Sequence, residues 1–289
     1  MSYHPSRRSR GSNFSGLKLR LLIGAAIVLF SVVSYFAKGQ TNPITGEVQR
    51  VAENVNEEIM MGMQAAPQMG HPSQDVASTI KVQNVGARLV NMLEHRLRAK
   101  GIQNPYPFDF HLLSDRNTVN AFALPGGQVF ITEALFHHLA DPLNKGHDPD
   151  GHEGRLAGVL GHEIGHVLER HGSQRMAKGG LIQGIVGAAG VAGGGHQSAN
   201  MAAYVGNIVN MKYGRADELE SDRWGVELMI LAGYNPTHLE TVMDVLEATS
   251  GGGGGPEFMS THPRPANRRE YIQSIIQEKF PNGLPAGLK

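Results

Sequence analysis

The stretch Gly161-His162-Glu163-Ile164-Gly165-His166 lies inside an apolar run, residues 155–171, whose spacing is typical of a helix. Residues four apart on a helix share a face, so His162 and His166 can both present an imidazole nitrogen to one cation. Glu163 adjoins the first histidine, and its carboxylate can reach a water molecule on the same cation and act as a general base. The stretch therefore predicts a metal site with hydrolytic chemistry.

The same helix has two further stripes of residues. An apolar face borders the histidines and consists of Leu156, Val159, Leu160, Ile164, Val167 and Leu168. A second stripe consists of Gly154, Gly158, Gly161 and Gly165. Each glycine inside a helix lowers its stability by about 1 kcal/mol relative to alanine, so four on one side need a reason. The glycine stripe predicts that another element packs unusually close to this helix.

Two residues at the end of the run bear on the ligand set. If the helix continues to His171, that histidine faces away from the pair and is excluded as a ligand. Glu169 lies on the ligand side one turn after His166 and is a candidate for a supporting contact or a fallback ligand. A metzincin site needs a glycine and a third histidine where this chain has Glu169 and Gly172, so that class is excluded.

The composition of the 289 residues narrows the classes of function. A hydrophobic share of 40% and a charged share of 18% are those of a globular protein. The 26 basic residues balance the 26 acidic ones, so the overall charge does not favour nucleic acid as a partner. The absence of cysteine excludes disulfides, thiolate metal sites and cysteine nucleophiles. Any metal must therefore be held by histidines and carboxylates.

The N-terminus has the pattern of a membrane anchor. A basic segment, residues 1–20, precedes an apolar run from Leu21 to Ala37, and the first acidic residue is Glu47. The run matches the shortest membrane-spanning helices, about 17 residues, and exceeds the core of a cleavable signal. We expect a retained single-pass anchor at 21–37 with the following domain outside the cytoplasm. The alternatives are a cleaved signal, which would leave a periplasmic protein, or a presequence for the mitochondrial inner membrane.

After the anchor, the sequence divides into a connecting region and one domain. Residues 38–78 are expected to hold a linker, a helix over 47–61 and a surface loop rich in Met, Gly, Pro and Gln. Residues 79–289 are expected to form one mainly helical domain that opens with an amphipathic helix over 79–100. Further helices are expected over 133–138, 237–248 and 266–280.

A small antiparallel sheet is expected between the helix over 79–100 and the helix that carries His162 and His166. Residues 108–113 have a strand-like pattern, and residues 120–131 are typical of strand, turn and strand. If the last strand lies at an edge, it can hold an extended polypeptide as an added strand. The candidate substrate-binding residues are therefore Gly126, Gly127, Gln128, Val129 and Phe130. An ordinary hairpin with no binding role is the alternative.

A third metal ligand is expected on another element, because catalytic zinc takes three protein ligands and keeps a fourth position for water. Glu218 and Asp222 are four apart at the start of a helical run and share a face. Glu218 can complete the site while Asp222 hydrogen-bonds a ligand imidazole from behind. The spacing is equally compatible with a solvated acidic face.

The pair His262-Pro263, with Arg268 six residues after the histidine, is the last candidate group. His262 can approach the reacting oxygen as a hydrogen-bond donor, and Arg268 can orient a carboxylate or a substrate carbonyl. From the residues alone, a loop histidine and an arginine at a helix start are the alternative.

Three stretches have less definite roles. Residues 137–154 are polar and are expected to form a solvated loop, with a second metal site as the alternative. Residues 176–210 are rich in Gly and Ala and too broken to span a membrane, which predicts either a helical hairpin over the site or a plain connector. The glycine run 251–255 is expected to be flexible.

Three motifs in this order resemble the metallopeptidase family of CAAX prenyl proteases and HtpX-like quality-control peptidases. They are His162-Glu163-x-x-His166, then Glu218-x-x-x-Asp222, then His262-Pro263 with Arg268. The upstream stretches Asn120-Ala121-Phe122 and Pro125-Gly126-Gly127 extend the resemblance, which covers residues 80–275. A single hydrophobic segment makes the chain more similar to the single-anchor or periplasmic branch than to the multi-pass prenyl proteases.

The resemblance implies an α+β, predominantly helical fold with a zincin-like (gluzincin) core. It implies one zinc ion per chain on His162, His166 and Glu218, with Glu163 as the base and Asp222 behind the ligands. It also implies that the strand near 127–132 binds substrate backbone at the edge of the active-site cleft. In relatives, the histidine matching His262 lies close to the metal, as a gate or a transition-state contact.

The expected function is that of a zinc-dependent endopeptidase for misfolded or membrane-associated proteins, in which Glu163 activates a water molecule on the zinc ion. The expected partners are polypeptides bound by edge-strand addition and a membrane bound through the N-terminal segment, with no nucleic acid. A chaperone or assembly factor that uses the same zinc fold with little proteolysis is the alternative.

Overall fold

A computed structural model describes residues 13–140, 149–193, 213–249, 257–262 and 267–289. The chain starts with a long helix, α1 (Asn13–Ala37), followed by a hairpin of two short strands, β1 (Gly39–Thr41) and β2 (Val48–Arg50). Helix α2 (Val55–Ala65) and one 3-10 turn (Ala66–Gln68) lead into the domain. The basic residues 1–12 lie outside the described ranges.

The domain itself is built from helices around one small sheet. Its elements in chain order are α3 (Val76–Ala99), β3 (Asp109–Leu113), β4 (Ala121–Ala123), β5 (Gln128–Thr132), α4 (Glu133–Ala140), α5 (Pro149–Leu168), α6 (His171–Gly193), α7 (Arg215–Leu231), α8 (His238–Ala248), α9 (Glu257–Thr261) and α10 (Arg268–Lys279). The expected predominance of helix is confirmed. The glycine run 251–255 lies outside the described residues, as do 141–148 and 194–212 of the polar and Gly-rich stretches.

Helix α1 differs from the other helices in its surroundings. Residues 16–37 form a helix that is long and apolar enough to cross a membrane, and only 6% of its most apolar window is buried inside the protein. A core helix of a globular protein would bury its apolar side chains, whereas this helix exposes residues such as Leu29 and Phe30. Length and composition therefore agree with the expected N-terminal anchor segment.

The helix expected over 47–61 begins later than predicted. Residues 48–50 pair with 39–41 as an antiparallel hairpin, and the helix starts only after Asn54. The Asn54 side chain accepts a hydrogen bond from the Glu57 backbone, and the Glu57 carboxylate accepts one from the Asn54 backbone. This reciprocal cap fixes the helix start, because it satisfies two backbone N–H groups that a helix would otherwise leave unpaired.

The central helix α5 runs through the core of the domain. Its apolar face, which includes Leu156, Leu160 and Ile164, is fully buried against α3, the sheet and α8. The expected polar loop over 137–154 is wrong at both ends, because residues 137–140 belong to α4 and residues from Pro149 onward form the first turns of α5. The metal-site motif therefore lies on an element that is packed on several sides, which fixes the direction of its side chains.

The three-stranded sheet differs from the prediction in two ways. Strand β5 pairs in parallel with β3 and antiparallel with β4, so the sheet is mixed and not antiparallel. The strand order is β3-β5-β4, and β5 is therefore the central strand. The expectation that Gln128, Val129 and Phe130 lie on an edge strand is wrong, because both sides of β5 are already paired. Among the described strands of this sheet, β3 and β4 are the edge strands, and β4 makes the larger contact with α5.

The prediction from the glycine stripe is confirmed. A Cβ atom at Gly165 would lie 2.9 Å from the Cα atom of Ser221, and one at Gly161 would lie 3.2 Å from the Cα atom of Gly225. Both partners belong to α7, so the glycines let the two helix backbones approach more closely than any side chain would allow. Gly158 and Gly154 meet α8 in the same way, at Leu239 and His238.

Gly165→Ala should destabilise the fold by about 1–3 kcal/mol, the usual result of adding a methyl group to a packed interface. Gly180→Ala is the matched control, since no atom lies within 4 Å of a Cβ at that helical glycine. We expect urea unfolding of the purified protein in detergent to show a lower midpoint for Gly165→Ala and an unchanged or higher one for Gly180→Ala. Equal midpoints would show that the helix contact tolerates a methyl group.

The helix expected over 155–171 ends at Leu168. Arg170 has a backbone φ of 56°, in the left-handed region, and α6 starts at His171. The Arg170 side chain is buried and donates to the Glu58 carboxylate at 2.8 Å and to the Glu53 carbonyl at 2.8 Å. These contacts with a distant segment of the chain support the turn, which costs free energy for a residue other than glycine.

Candidate metal centre and active site

Helix α5 holds His162 and His166 on one face, as their spacing predicts. The two Nε2 atoms lie 3.1 Å apart, and both side chains are buried. Their rings are nearly perpendicular, with centroids 4.7 Å apart. The two imidazoles thus converge on one point beside the helix.

Helix α7 brings Glu218 to the same point. One carboxylate oxygen, Oε2, lies 3.6 Å from Nε2 of His162, and the other, Oε1, lies 3.6 Å from Nε2 of His166. The short distance between α5 and α7 at the glycine stripe places the carboxylate there. Glu218 is therefore buried in the protein and does not form a solvated acidic face.

His262 comes to the cluster from the residue after α9. Its Nδ1 atom lies 3.3 Å from Nε2 of His162, 3.2 Å from Nε2 of His166 and 3.1 Å from Oε1 of Glu218. The ring of His262 also stacks on Phe258, with centroids 4.4 Å apart. Its position is therefore fixed from two sides, and its Nδ1 atom is as close to the other three donors as they are to one another.

The four donor atoms have the size of a metal site. They all lie within 4.8 Å of one another, and no other group of this kind occurs in the described ranges. Metal–nitrogen and metal–oxygen bonds of about 2.0–2.1 Å in a tetrahedral site require donor atoms about 3.3–3.4 Å apart. The distances between 3.1 and 3.6 Å bracket that value. The cluster of His162, His166, Glu218 and His262 can therefore hold a tetrahedral metal ion.

Asp222 and Arg268 support the cluster from behind. Asp222 Oδ1 lies 3.0 Å from Nδ1 of His162, and a carboxylate can only accept, so Nδ1 carries the proton and Nε2 has its lone pair toward the cluster. Arg268 donates to both Asp222 oxygens, at 2.6 and 2.7 Å, and its Nη1 lies 2.9 Å from Oε2 of Glu218. Arg268 is buried and orients two carboxylates, and its contact with a substrate carbonyl stays a prediction.

The charges around Glu218, Asp222 and His166 favour the protonation states that a cation needs. Burial acts to raise the pKa values of Glu218 and Asp222, but His262 outweighs it at Glu218 and Arg268 outweighs it at Asp222, so both values are lowered. At His162, burial acts to lower the pKa, but the carboxylates of Asp222 and Glu218 outweigh it and raise the pKa. Burial and the neighbouring imidazoles hold the pKa of His166 well below its usual value. The carboxylates are therefore charged and His166 is neutral, as metal ligands must be.

His171 has a position that the sequence did not indicate. Its Nδ1 atom lies 2.9 Å from Nδ1 of His166, and its Nε2 atom lies 3.0 Å from the Glu220 carboxylate. The exclusion of His171 assumed a continuous helix, whereas the turn at Arg170 swings the residue back toward His166. His171 is thus no member of the four-atom cluster, but it contacts the far side of one donor ring.

Tyr213 and Arg175 were also missed by sequence reasoning. The Tyr213 ring stacks on His166, with centroids 3.7 Å apart and planes 21° apart, and the Arg175 guanidinium lies 3.4 Å from the centre of the Tyr213 ring. The Tyr213 backbone N–H donates to the carbonyl of Thr261, next to His262. No short motif signals these contacts, because the three segments meet only in the folded chain.

Glu169 is not part of the cluster. Its carboxylate accepts a hydrogen bond of 2.6 Å from the Trp224 indole and one of 3.4 Å from the Gln49 amide. Glu169 thus joins the end of α5 to α7 and to β2, and its role as a fallback ligand finds no support in these contacts.

Glu163 is the buried acid beside the cluster. It has no exposed surface, and neither of its carboxylate oxygens has a hydrogen-bond partner among the described residues. The Nε2 atom of His262 lies 3.6 Å from Oε1 of Glu163. Burial raises the pKa of Glu163 above its usual value, which makes the group a better proton acceptor.

A small cavity, with room for about one water molecule, lies between the cluster and the sheet and marks the position of the cleft. It is lined by Phe122, Ala123, Leu124 and Pro125 on one side, and by Arg175, Tyr213 and His262 on the other. The lining contains β4 and the following turn, and none of the five residues from Gly126 to Phe130. Gly126 instead packs against α2, where a Cβ atom would overlap the backbone of Ile59.

The comparisons with known proteins agree with this site. The family described as Peptidase family M48 matches residues 83–276. The chain is 26% identical over 255 residues to the beta-barrel assembly-enhancing protease of Escherichia coli, which covers 84% of this chain and 49% of that protein. It is 27% identical over 285 residues to the mitochondrial metalloendopeptidase OMA1 of Schizosaccharomyces pombe. That alignment covers 96% of this chain and 76% of the relative.

The chain thus spans about half the length of the beta-barrel assembly-enhancing proteases that it matches. The family match, however, covers more than half of the chain and includes all four cluster residues and Glu163. The protein therefore belongs to peptidase family M48, a family of metallopeptidases.

Proposed function

We propose that this protein is a zinc-dependent endopeptidase that cleaves misfolded or membrane-associated polypeptides. The observation that carries the proposal is the buried cluster of His162, His166, Glu218 and His262 with the unpartnered Glu163 carboxylate beside it. Three nitrogens and one oxygen at these separations suit zinc, which prefers histidine and carboxylate ligands in a tetrahedron. The family and the protease names of its relatives support the hydrolytic reaction.

Zinc, when bound, supplies a Lewis acid that polarises the scissile carbonyl and makes water easier to deprotonate. Glu163 takes the proton from the attacking water and later passes it to the leaving amine. The raised pKa of Glu163 suits both steps, because the same carboxyl must accept and then release a proton. Asp222 and Arg268 act as positioning residues that hold His162 and Glu218 in place.

His262 fills one corner of the tetrahedron in this arrangement. With a metal ion held by all four donors, His262 would take the position that a catalytic site keeps for water, and the site would be closed. We propose that His262 moves out of the corner when substrate binds. His262 would then control access of water to the metal. It could donate a hydrogen bond to the reacting oxygen only after it has moved.

The polypeptide is proposed to lie along β4 as an added strand. This strand is the one beside the metal cluster with an unpaired side, and its residues line the cleft. Backbone hydrogen bonds from a strand edge hold a substrate with little regard to its sequence, which suits a protease for misfolded proteins.

We further propose that α1 is retained as a single-pass anchor with the domain on the extracytoplasmic side. The apolar character of 16–37 and the basic residues ahead of it support this orientation. A cleaved periplasmic form is the alternative, and a mitochondrial location would suit the likeness to the OMA1 peptidases. The mass of the mature protein separates the anchored form from the cleaved one.

Removal of the metal tests the proposed function. We expect the purified full chain in detergent to contain one zinc ion per molecule and to hydrolyse casein, with activity lost after EDTA treatment and restored by added zinc. Glu218→Gln should bind zinc more weakly, because it removes the only charged ligand of the cluster. Full activity in a metal-free sample would contradict the proposal.

The closed arrangement also favours a second function, that of a chaperone or assembly factor with little proteolysis. A site whose water position is filled by His262 binds metal well but reacts slowly until it opens. A cellular role that persists in the Glu163→Gln variant would support this second function, and loss of the role would support the protease.

A further inference from the structure

Helices α1 and α6 pack side by side over much of their length. Gly184 of α6 faces Ser31 of α1 so closely that a Cβ atom at Gly184 would overlap the hydroxyl group. The Ser31 hydroxyl donates to the Ile27 carbonyl of its own helix, so its polar group is satisfied without water. Small residues at a helix contact and locally satisfied hydroxyls are typical of helix pairs inside membranes.

The two helices leave the domain in opposite chain directions from a common base. The backbone N–H of Val51 donates to the Lys38 carbonyl at the end of α1, and the N–H of Ala52 donates to the Ser173 carbonyl at the start of α6. The base is therefore formed by Lys38 and Ser173. The two helices are antiparallel: α1 runs toward this base and α6 runs away from it. They meet at the contact between Ser31 and Gly184.

Lys38, directly after α1, and Lys178 of α6 lie at similar distances from the contact between Ser31 and Gly184. Lys38 is seven residues from Ser31, or about 10 Å along a helix, and Lys178 is six residues from Gly184, or about 9 Å. Beyond Lys178 the sequence has no Asp, Glu, Lys or Arg from Gly179 to Met211. The last charge of α6 thus marks the same plane as the first charge after α1.

Beyond that plane the large exposed side chains of the pair are mainly apolar, with Gln183 as an exposed polar residue of α6. Ile182 and Ile185 of α6 are 58% and 43% exposed, beside Leu29 and Phe30 of α1 at 65% and 74%. At the plane itself, the Arg50 guanidinium lies 4.6 Å from the centre of the Phe36 ring. Aromatic rings with a nearby cation are typical of the membrane–water interface.

We propose that α6 enters the lipid bilayer beside α1, so that the two helices form one membrane-embedded pair. This inference rests on the proposed anchoring of the protein by α1. The occupant of the exposed apolar face is lipid, because that face is continuous with the outer surface of α1 and shares its boundary of charge. Of the described helices, only α1 is apolar enough to cross a membrane by itself, so α6 is stabilised there by α1.

The insertion fixes the location of the active site. His171, which contacts the donor His166, is seven residues before Lys178, or about 10 Å along α6. The metal cluster therefore lies at the membrane surface. Substrates of the protease are then polypeptide segments at or just above the lipid headgroups.

Cysteine labelling tests the insertion, because the chain has no cysteine of its own. The full chain with Ile182→Cys or Ile185→Cys is labelled with a polarity-sensitive fluorophore and placed in phosphatidylcholine–phosphatidylglycerol vesicles that contain nitroxide-labelled lipid. Leu29→Cys on α1 serves as the membrane control and Ser274→Cys, exposed on α10, as the water control. We expect both α6 labels to be quenched by nitroxide lipid to the same degree as the Leu29→Cys label.

Other outcomes overturn the proposal in distinguishable ways. Quenching at Leu29→Cys with none at Ile182→Cys and Ile185→Cys would leave α1 as an anchor and reject insertion of α6. No quenching at Leu29→Cys would reject both. Labels on α6 that are shielded from water but not quenched by lipid would point to a protein partner. None of these readouts depends on proteolysis, so the result stands apart from the test of the catalytic function.

Discussion

Glu163→Gln should abolish casein hydrolysis while the metal remains bound. The amide has nearly the same shape as the carboxylate but cannot accept the proton of the attacking water. Loss of a general acid–base group typically lowers the rate by a factor of about 100–10,000. Glu163 does not belong to the four cluster residues, and it makes no hydrogen bond with the described residues, so the substitution removes no hydrogen bond from the fold.

The matched control is Glu169→Gln, a second buried glutamate at the end of α5 that contacts Trp224 and lies outside the cluster. We expect zinc content and the unfolding temperature of Glu163→Gln to equal those of the wild type, and Glu169→Gln to stay active. Cleavage by Glu163→Gln at the wild-type rate would show that another group is the base.

His262→Ala should raise the rate of hydrolysis, the opposite of the usual effect of mutating a residue in an active site. The His262 Nδ1 atom lies among the other donors, where it would take the position of water on a bound metal, so its removal would open the site without any movement. Each 1.4 kcal/mol by which the closed form is preferred corresponds to a gain of about tenfold. The variant should also bind zinc less tightly, since it loses one ligand.

The assay for His262→Ala needs saturating zinc and a control that removes a different imidazole. His171→Ala is suitable, because His171 contacts His166 from behind and occupies no corner of the cluster. We expect a higher rate for His262→Ala only. A fall in activity with zinc fully bound would instead assign His262 the role of a hydrogen-bond donor to the reacting oxygen.

The sequence was sufficient to predict α5 because its information is local. The spacing of His162 and His166 and the glycine stripe follow from the period of a helix, and both hold in the structure. The turn at Arg170 could not be predicted in this way. It is supported by Glu53 and Glu58, more than a hundred residues earlier, so the continued helix placed His171 on the wrong side.

The pairing of the strands likewise depends on long-range contacts that the sequence does not reveal. The hairpin of β4 and β5 was predictable from its turn glycines, but the parallel pairing of β5 with β3 is a long-range contact with no local signature. The pairing covers the side of β5 that was expected to be free and leaves β4 beside the cleft. The family resemblance pointed to β5 for substrate binding, whereas the strand of this hairpin with an unpaired side is β4.

The buried pair of Arg170 and Glu58 has a mechanical consequence. Arg170 follows directly on the metal helix and also donates to the Gln40 side chain, three residues after α1 ends. If α1 lies in the bilayer, these hydrogen bonds hold the domain directly against its anchor, without a flexible linker between them. The active site would then lie at a constant height above the lipid. The bonds that the protein cleaves in its substrates would be selected by their distance from the membrane.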